Sequence, residues 1–253
     1  MSISLVGYTG FIGKSLISEY GKSIGNVYNS KNIHKLPDVH HDTLIIAAPS
    51  AVKWQANKNP QDDWAKVSRL IEAIKASTAN EVIHLSTCDI FDYSKQSRNF
   101  ELDDDFSDQP YSNHRRRLEE AVKGLNYRIL RLPTVYGDAM KKNILFDLLT
   151  NNYDYLETVN PHNELQWINV TEITSYIEFA RKQDIKILNC ATQPIANSEI
   201  FKLFKYKSKN YTEKADITYD MKTTYDPHKY FKGKREVLKD IERFVNEKSH
   251  IFN

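Results

Sequence analysis

Three glycines at three-residue spacing, Gly7, Gly10 and Gly13, follow an apolar run of Ile3, Leu5 and Val6. A helical pattern with Ile12, Leu16 and Ile17 on one side comes directly after them. A strand, a tight glycine turn and a helix N-terminus make an anion site, because free backbone N–H groups point outward and the helix dipole favours negative charge. Gly7 can leave the strand at positive φ, Gly10 has no Cβ to block a pyrophosphate, and Gly13 lets the helix lie close to the sheet. The spacing is Gly-x-x-Gly-x-x-Gly, which differs from the Gly-x-Gly-x-x-Gly dinucleotide fingerprint. The triplet therefore reads as a nucleotide turn, with a turn used only for packing as the competing reading.

At 253 residues the chain can form one large α/β domain or a core with a smaller lobe. A net charge of +2 gives no electrostatic case for nucleic acid. No apolar run approaches the length of a membrane span, and the start of the chain lacks a signal-peptide pattern. Two cysteines, Cys88 and Cys190, are too few for a disulfide framework and lack metal-ligand spacing. These features predict a cytoplasmic protein without membrane or nucleic-acid partners.

Asn26–Asn29 reads as a second strand. The end of that strand selects the cofactor at sites of this kind: an acid binds the ribose 2′-OH of NAD, a base the 2′-phosphate of NADP. No Asp or Glu stands between Tyr20 and Pro37, and Asn29, Ser30, Lys31 and Asn32 are the candidates, which predicts a preference for NADP over NAD. Asp42–Pro49 is a continuous apolar run, as a strand buried on both faces requires. It follows so soon after the second strand that the crossover between them must be abbreviated. Ala47, Ala48 and Pro49 form a small-residue strand end that a flat ring could approach. His40 and His41 before it read as a solvated loop pair, with no metal expected. Asn59-Pro60 opens a helix whose Trp64, Val67, Leu70, Ile71 and Ile74 form a core stripe. Glu81–Ser86 is the next buried strand, with His84 expected as a satisfied core histidine and Ser86 and Thr87 at the carboxyl end, where ligands of open α/β sheets bind. Pro110 then introduces a helix that places Tyr111, Arg115, Leu118 and Val122 on one face. Tyr127–Leu132 is a further strand. After about residue 138 the pattern predicts helices near 143–150, 171–181, from 197 (capped by Ser198) and 236–248, with strands near 166–169 and 186–190. The stretch 206–235 resists assignment.

These residues together resemble the extended short-chain dehydrogenase/reductase superfamily, the nucleotide-sugar epimerases, dehydratases and reductases. GYTGFIG at 7–13, AAP at 47–49, LSTCDIFD at 85–92, YSNHRRRLE at 111–119, LRLPTVYG at 130–137 and WINVTEI at 167–173 carry the resemblance. It implies a Rossmann-like, doubly wound parallel sheet over 1–138 and a smaller substrate-binding lobe over 139–253, partly interleaved with the core. It implies an NAD(P)-dependent oxidoreductase or epimerase acting on a nucleotide-activated sugar, with a homodimer as one expected assembly. Cofactor contacts are implied at Gly7, Thr9, Gly10, Phe11, Ile12, Gly13, Asn29, Ser30, Lys31, Ala47, Ala48, Pro49, Arg115 and Pro133. Thr87, Tyr111 and Arg115 take the catalytic positions, and Thr87, Tyr111 and Asn143 the substrate side.

Two positions depart from the family pattern. Arg115 replaces the lysine of Tyr-x-x-x-Lys, and Cys88 replaces an acid found in sugar dehydratases. The second argues against dehydration and leaves Ser86–Asp92 closer to the dehydrorhamnose reductase type. The first supports a competing reading, a catalytically weak dinucleotide-binding protein. A third reading is a reductase of a small non-sugar carbonyl.

Overall fold

The glycine turn lies in a parallel sheet whose strand order follows from one short crossover. A computed structural model describes residues 2–94, 99–208 and 216–252. In chain order its elements are β1 (Ile3–Val6), α1 (Phe11–Tyr20), β2 (Ile24–Tyr28), β3 (His40–Ile46), α2 (Lys53–Lys58), α3 (Pro60–Ala76), β4 (Thr78–Thr87), α4 (Pro110–Val122) and β5 (Tyr127–Leu132). They continue as β6 (Thr134–Tyr136), α5 (Ile144–Leu149), α6 (Tyr153–Leu156), β7 (Glu164–Leu165), β8 (Trp167–Asn169), α7 (Ile173–Lys182), β9 (Ile187–Asn189), β10 (Ile195–Ala196), α8 (Asn197–Leu203) and α9 (Lys234–Phe252).

The chain divides into two compact units. The first comprises 1–92, 104–132 and 171–189, and the second 93–103, 133–170 and 190–253. The units interleave along the chain: residues 171–189 belong to the first, where β9 pairs with β5, Ile129 opposite Ile187.

In the first unit six parallel strands run in the order β2-β1-β3-β4-β5-β9. Only a six-residue 3₁₀ segment, Ile33–Asp38, joins β2 to β3. It buries Ile33 and Leu36 in place of a full crossover helix, which is the abbreviation expected from the spacing. β1 and β3 are therefore neighbours, and the strand order reverses between them. Ligands of doubly wound sheets bind at the carboxyl side of that reversal. The central strands are apolar on both faces: Leu5, Leu44, Ile45, Ile46, Val82, Ile83, Ile129 and Leu130 are buried. Along α3, Val67, Leu70, Ala73 and Ile74 are buried, with Trp64 and Ile71 partly so, as their helical spacing requires.

Both histidine expectations give way to the fold. β3 begins at His40, paired with Thr78, so His40 and His41 are strand residues and not a loop pair. His41 is buried, its ring bonded to Ser4 Oγ at 2.8 Å and to the Leu36 carbonyl oxygen at 3.0 Å. No group able to hold a metal is found among the described residues. His84 is buried but neither ring nitrogen has a hydrogen-bond partner of ordinary geometry, so it is not the satisfied histidine expected. Burial pushes its imidazole down to about 4, against the Glu119 carboxylate that favours the cation. The unfolded chain binds a proton at this histidine below its ordinary value of about 6.5, while the folded chain stays neutral until about pH 4. Stability is thus unaffected above that window and falls with pH inside it, by up to about 3 kcal/mol in total. Denaturant unfolding of the parent and a His84→Leu variant between pH 7 and pH 4 checks this, the variant losing that share of the acid sensitivity.

In the second unit β6 pairs with β8 in parallel, and β7 with β10 antiparallel. The helix at 197 begins as expected, but Ser198 does not cap it. The Glu199 carboxylate accepts the Ala196 backbone N–H at 3.2 Å instead. Within the unassigned stretch, 209–215 lies outside the described residues. Met221 is bracketed by the Gln166 amide, which accepts its N–H at 2.8 Å and donates to its carbonyl at 2.7 Å.

Candidate functional site

The turn after β1 has the shape that the glycine pattern demands. Gly7 has φ +89°, and a Cβ there would collide with the Ala47 carbonyl oxygen. A Cβ on Gly13 would collide with the Gly7 carbonyl, so α1 approaches the turn closely only with glycine at that position. Gly10 precedes α1 without a side-chain cap, and no acid stands in the first turn of the helix. Backbone donors of a ten-residue helix are thus left for a ligand anion. Thr9 is exposed, and Phe11 and Ile12 are half-buried beside this N-terminus. The triplet thus packs the helix against the turn and leaves its first-turn N–H groups without a side-chain cap. A dinucleotide pyrophosphate fits those donors.

After β2, asparagines tie the loop. Asn29 donates to the Tyr8 hydroxyl at 3.2 Å and accepts from the Lys31 N–H at 2.8 Å. Asn32 accepts the Asn29 N–H at 2.7 Å and donates to the Val27 carbonyl at 3.0 Å. Ser30 and Lys31 are exposed at its tip. Ala47, Ala48 and Pro49 are half-buried just past β3.

The structure brings Thr87, Tyr111 and Arg115 together. Thr87 ends β4, and its hydroxyl accepts the Asp89 N–H at 3.1 Å. Asn57 of α2 accepts the Tyr111 N–H at 2.9 Å and so caps the start of α4. Tyr111 is only 2% exposed, and its hydroxyl hydrogen-bonds Thr87. Burial, helped by the Asp89 carboxylate, pushes its phenol up to about 12, although Arg115 and the Thr87 hydrogen bond pull the other way. Tyr111 is therefore a neutral phenol at physiological pH.

Arg115 lies one turn along the same face, as the spacing predicts, with its guanidinium carbon 4.3 Å from the centre of the Tyr111 ring. Its donors, however, go to Asp63 at 2.9 and 3.0 Å and to the Ser50 carbonyl at 2.8 Å. His114 shares the same carboxylate at 2.8 Å. Burial would raise the Asp63 carboxyl, but the hydrogen bonds from Arg115 and His114 prevail and hold it below the ordinary carboxylate range. The guanidinium is thus fixed against the tyrosine ring, and not at its hydroxyl. Asp63 was not singled out in the sequence; its place in the first turn of α3, before the core stripe, carries no mark of this contact.

Pro133 and Asn143 belong to the second unit. Pro133 is buried directly after β5. Asn143 caps α5, accepting the Phe146 N–H at 2.9 Å and donating to the Val135 carbonyl at 3.2 Å.

The family model for the NAD dependent epimerase/dehydratase family matches residues 3–154, more than half of the chain. The chain belongs to this family. No curated protein matches the sequence. The solved structures show the fold over nearly its whole length. UDP-glucose 4-epimerase from Thermotoga maritima is 15% identical, with a TM-score of 0.73 and 98% and 99% of the two chains covered. A dTDP-glucose 4,6-dehydratase from Streptomyces venezuelae is 14% identical, with a TM-score of 0.72 and 99% and 98% coverage. A dTDP-4-dehydrorhamnose reductase from Clostridium acetobutylicum is 15% identical, with a TM-score of 0.69 and 98% and 99% coverage. As a family member this chain carries its Rossmann-like sheet in the first unit, and among the described residues no helix is long and apolar enough to cross a membrane.

Proposed function

We propose that this chain is an NAD(P)H-dependent reductase of a carbonyl on a nucleotide-activated sugar. The observation that carries the reading is the Thr87–Tyr111 pair at the carboxyl end of β4, with Tyr111 held as a neutral phenol. Reduction needs a proton donor beside the carbonyl oxygen, whereas oxidising a sugar hydroxyl, the first half of an epimerisation, needs a base. Burial keeps the Tyr111 proton on its oxygen, where it can be given to a carbonyl oxygen as hydride arrives. The glycine turn at 7–13 would hold the pyrophosphate, with Ala47, Ala48 and Pro49 along the strand end. When bound, the cofactor supplies the hydride. Thr87 orients the substrate oxygen, Tyr111 donates the proton to it, and Arg115 fixes the ring that carries that proton. UDP- and dTDP-linked sugars are the substrate class, since the structural relatives act on such compounds and the fold is shared. The commitment of Arg115 to Asp63 favours the second reading, a dinucleotide-binding protein with weak catalysis. Incubation of the protein with NADPH and keto sugars linked to UDP or dTDP separates the two. Loss of nicotinamide absorbance with at least one sugar supports the reductase; cofactor binding without turnover across that panel supports the second reading.

The cofactor choice is a separate expectation. With no acid after β2 and Lys31 exposed, Lys31 can reach a 2′-phosphate by a charge-assisted hydrogen bond worth about 1.5 kcal/mol, roughly tenfold in affinity. Calorimetric titration should find NADPH tighter than NADH by that factor and the difference reduced in Lys31→Met. Equal affinities would assign the site to NAD.

A further inference from the structure

Position 115 supplies charge but no mobile proton, because a guanidinium does not deprotonate in proteins. A different cation, Lys53, meets the Asp89 carboxylate, which itself acts on Tyr111. Lys53, first residue of α2, is 2.6 Å from Asp89. Its side chain is 33% exposed, so its ammonium exchanges protons with water. Asp89 is bonded in turn to Thr87, through its backbone N–H at 3.1 Å and its carboxylate at 3.5 Å. Thr87 hydrogen-bonds the Tyr111 hydroxyl. The side chain of Asp89 is 23% exposed, whereas Tyr111 is sealed from solvent at 2%. An ordered line of groups therefore joins water to a buried phenol, and the backbone fixes its turn: Ser112 Oγ holds the Asp89 carbonyl at 2.5 Å.

We propose that Lys53 and Asp89 form the route by which a solvent proton returns to Tyr111 after each turnover. The inference rests on the reading of Tyr111 as proton donor. Once Tyr111 has given its proton to the product oxygen, its phenolate takes the Thr87 hydroxyl proton. Thr87 is restored by a proton that passes from the Lys53 ammonium onto Asp89 and from the Asp89 carboxyl onto Thr87. The neutral Lys53 amine then takes a proton from water. One solvent proton ends on the product hydroxyl and no side chain is changed. The charged and titratable groups around Tyr111 are Asp89 and Cys88 from the turn after β4 and Arg115 from α4. Asp63 and His114 are bound up with Arg115. Arg115 cannot shuttle a proton, and Cys88 is buried. Lys53 acts through Asp89 and Thr87 and is a positioning residue for the proton.

One readout needs no substrate. In protein carrying ring-labelled ¹³C-tyrosine, the Tyr111 resonance is the one lost in Tyr111→Phe. Asp89→Asn should bring its ionisation to lower pH than in the parent, and an unchanged onset shows that Asp89 does not act on the phenol and overturns the route. The other readout is turnover of the keto sugar. Lys53→Met and Lys53→Arg should each lose about tenfold or more in kcat with KM held within about twofold, the loss expected when positioned proton transfer fails. Added methylamine should restore Lys53→Met. Parental turnover in Lys53→Arg, which keeps the charge without the mobile proton, also overturns the route. The reading of Tyr111 fails separately: if Tyr111→Phe turns over normally, the tyrosine is not the donor, whereas an inactive Tyr111→Phe beside a fully active Lys53→Met removes only the relay.

Discussion

Tyr111→Phe should lower turnover by about 10²- to 10⁴-fold while leaving cofactor affinity unchanged within about twofold. The change deletes one oxygen at a site 2% exposed. It adds no volume, and the ring stays beneath the Arg115 guanidinium, 4.3 Å away. The Thr87 hydrogen bond is lost, a stability cost of about 1 kcal/mol. The glycine turn at 7–13, proposed to hold the cofactor, lies on another turn of the sheet and is untouched. A large fall in kcat with an intact cofactor titration and a melting temperature lowered by only about 2–4 °C therefore isolates the proton donor. A variant that turns over at the parental rate moves the acid role away from Tyr111.

Glu119→Gln should destabilise the fold by about 3–5 kcal/mol, the cost of breaking a buried ion pair by neutralising one member. Arg131 of β5 is 2% exposed and Glu119 of α4 is 1% exposed. They pair at 2.9 Å, with the Arg131 Nε also donating to the carboxylate at 3.2 Å. Ser86 Oγ donates to the same carboxylate at 2.5 Å. The Arg131 guanidinium also lies over the rings of Phe91 and Phe106, 5.2 and 5.9 Å from their centres. A neutral amide has about the same size, so the loss is electrostatic rather than steric. Denaturant unfolding measures it, with the double variant Glu119→Gln/Arg131→Met as the control. Removing both charges should recover much of the loss, because the desolvation cost of the pair disappears with them. The site is coupled to this pair through Ser86, one residue before Thr87 in β4, so the destabilised variant should also lose turnover.

Local chemistry made much of this molecule legible in the sequence. The apolar runs at 3–6 and 42–46, the glycine triplet and the stripe from Trp64 to Ile74 each report on contacts that any strand, turn or helix must make with its neighbours. The abbreviated crossover followed from chain length alone. The spacing of Tyr111 and Arg115 placed both on one helical face, and the structure keeps them there. Helical spacing sets a face, but it does not name what the face meets. Arg115 meets Asp63, 52 residues earlier, because α3 packs against α4. The same limit explains the histidines: whether His41 is solvated depends on how far β3 extends along β4, a register that is a property of two strands at once.

By itself the sequence determined the main strands and helices of the sheet, the glycine turn and the family resemblance, since these depend on residues close together along the chain or on fixed periodicities. Only the tertiary structure decided which charge answers which. It assigned Asp63 to Arg115, set Lys53 against Asp89, enclosed Glu119 with Arg131 and buried the His84 imidazole inside the sheet. The physical reason is that an ion pair or a desolvated imidazole depends on distances between segments tens of residues apart. Those distances exist only after the sheet has brought the helices together.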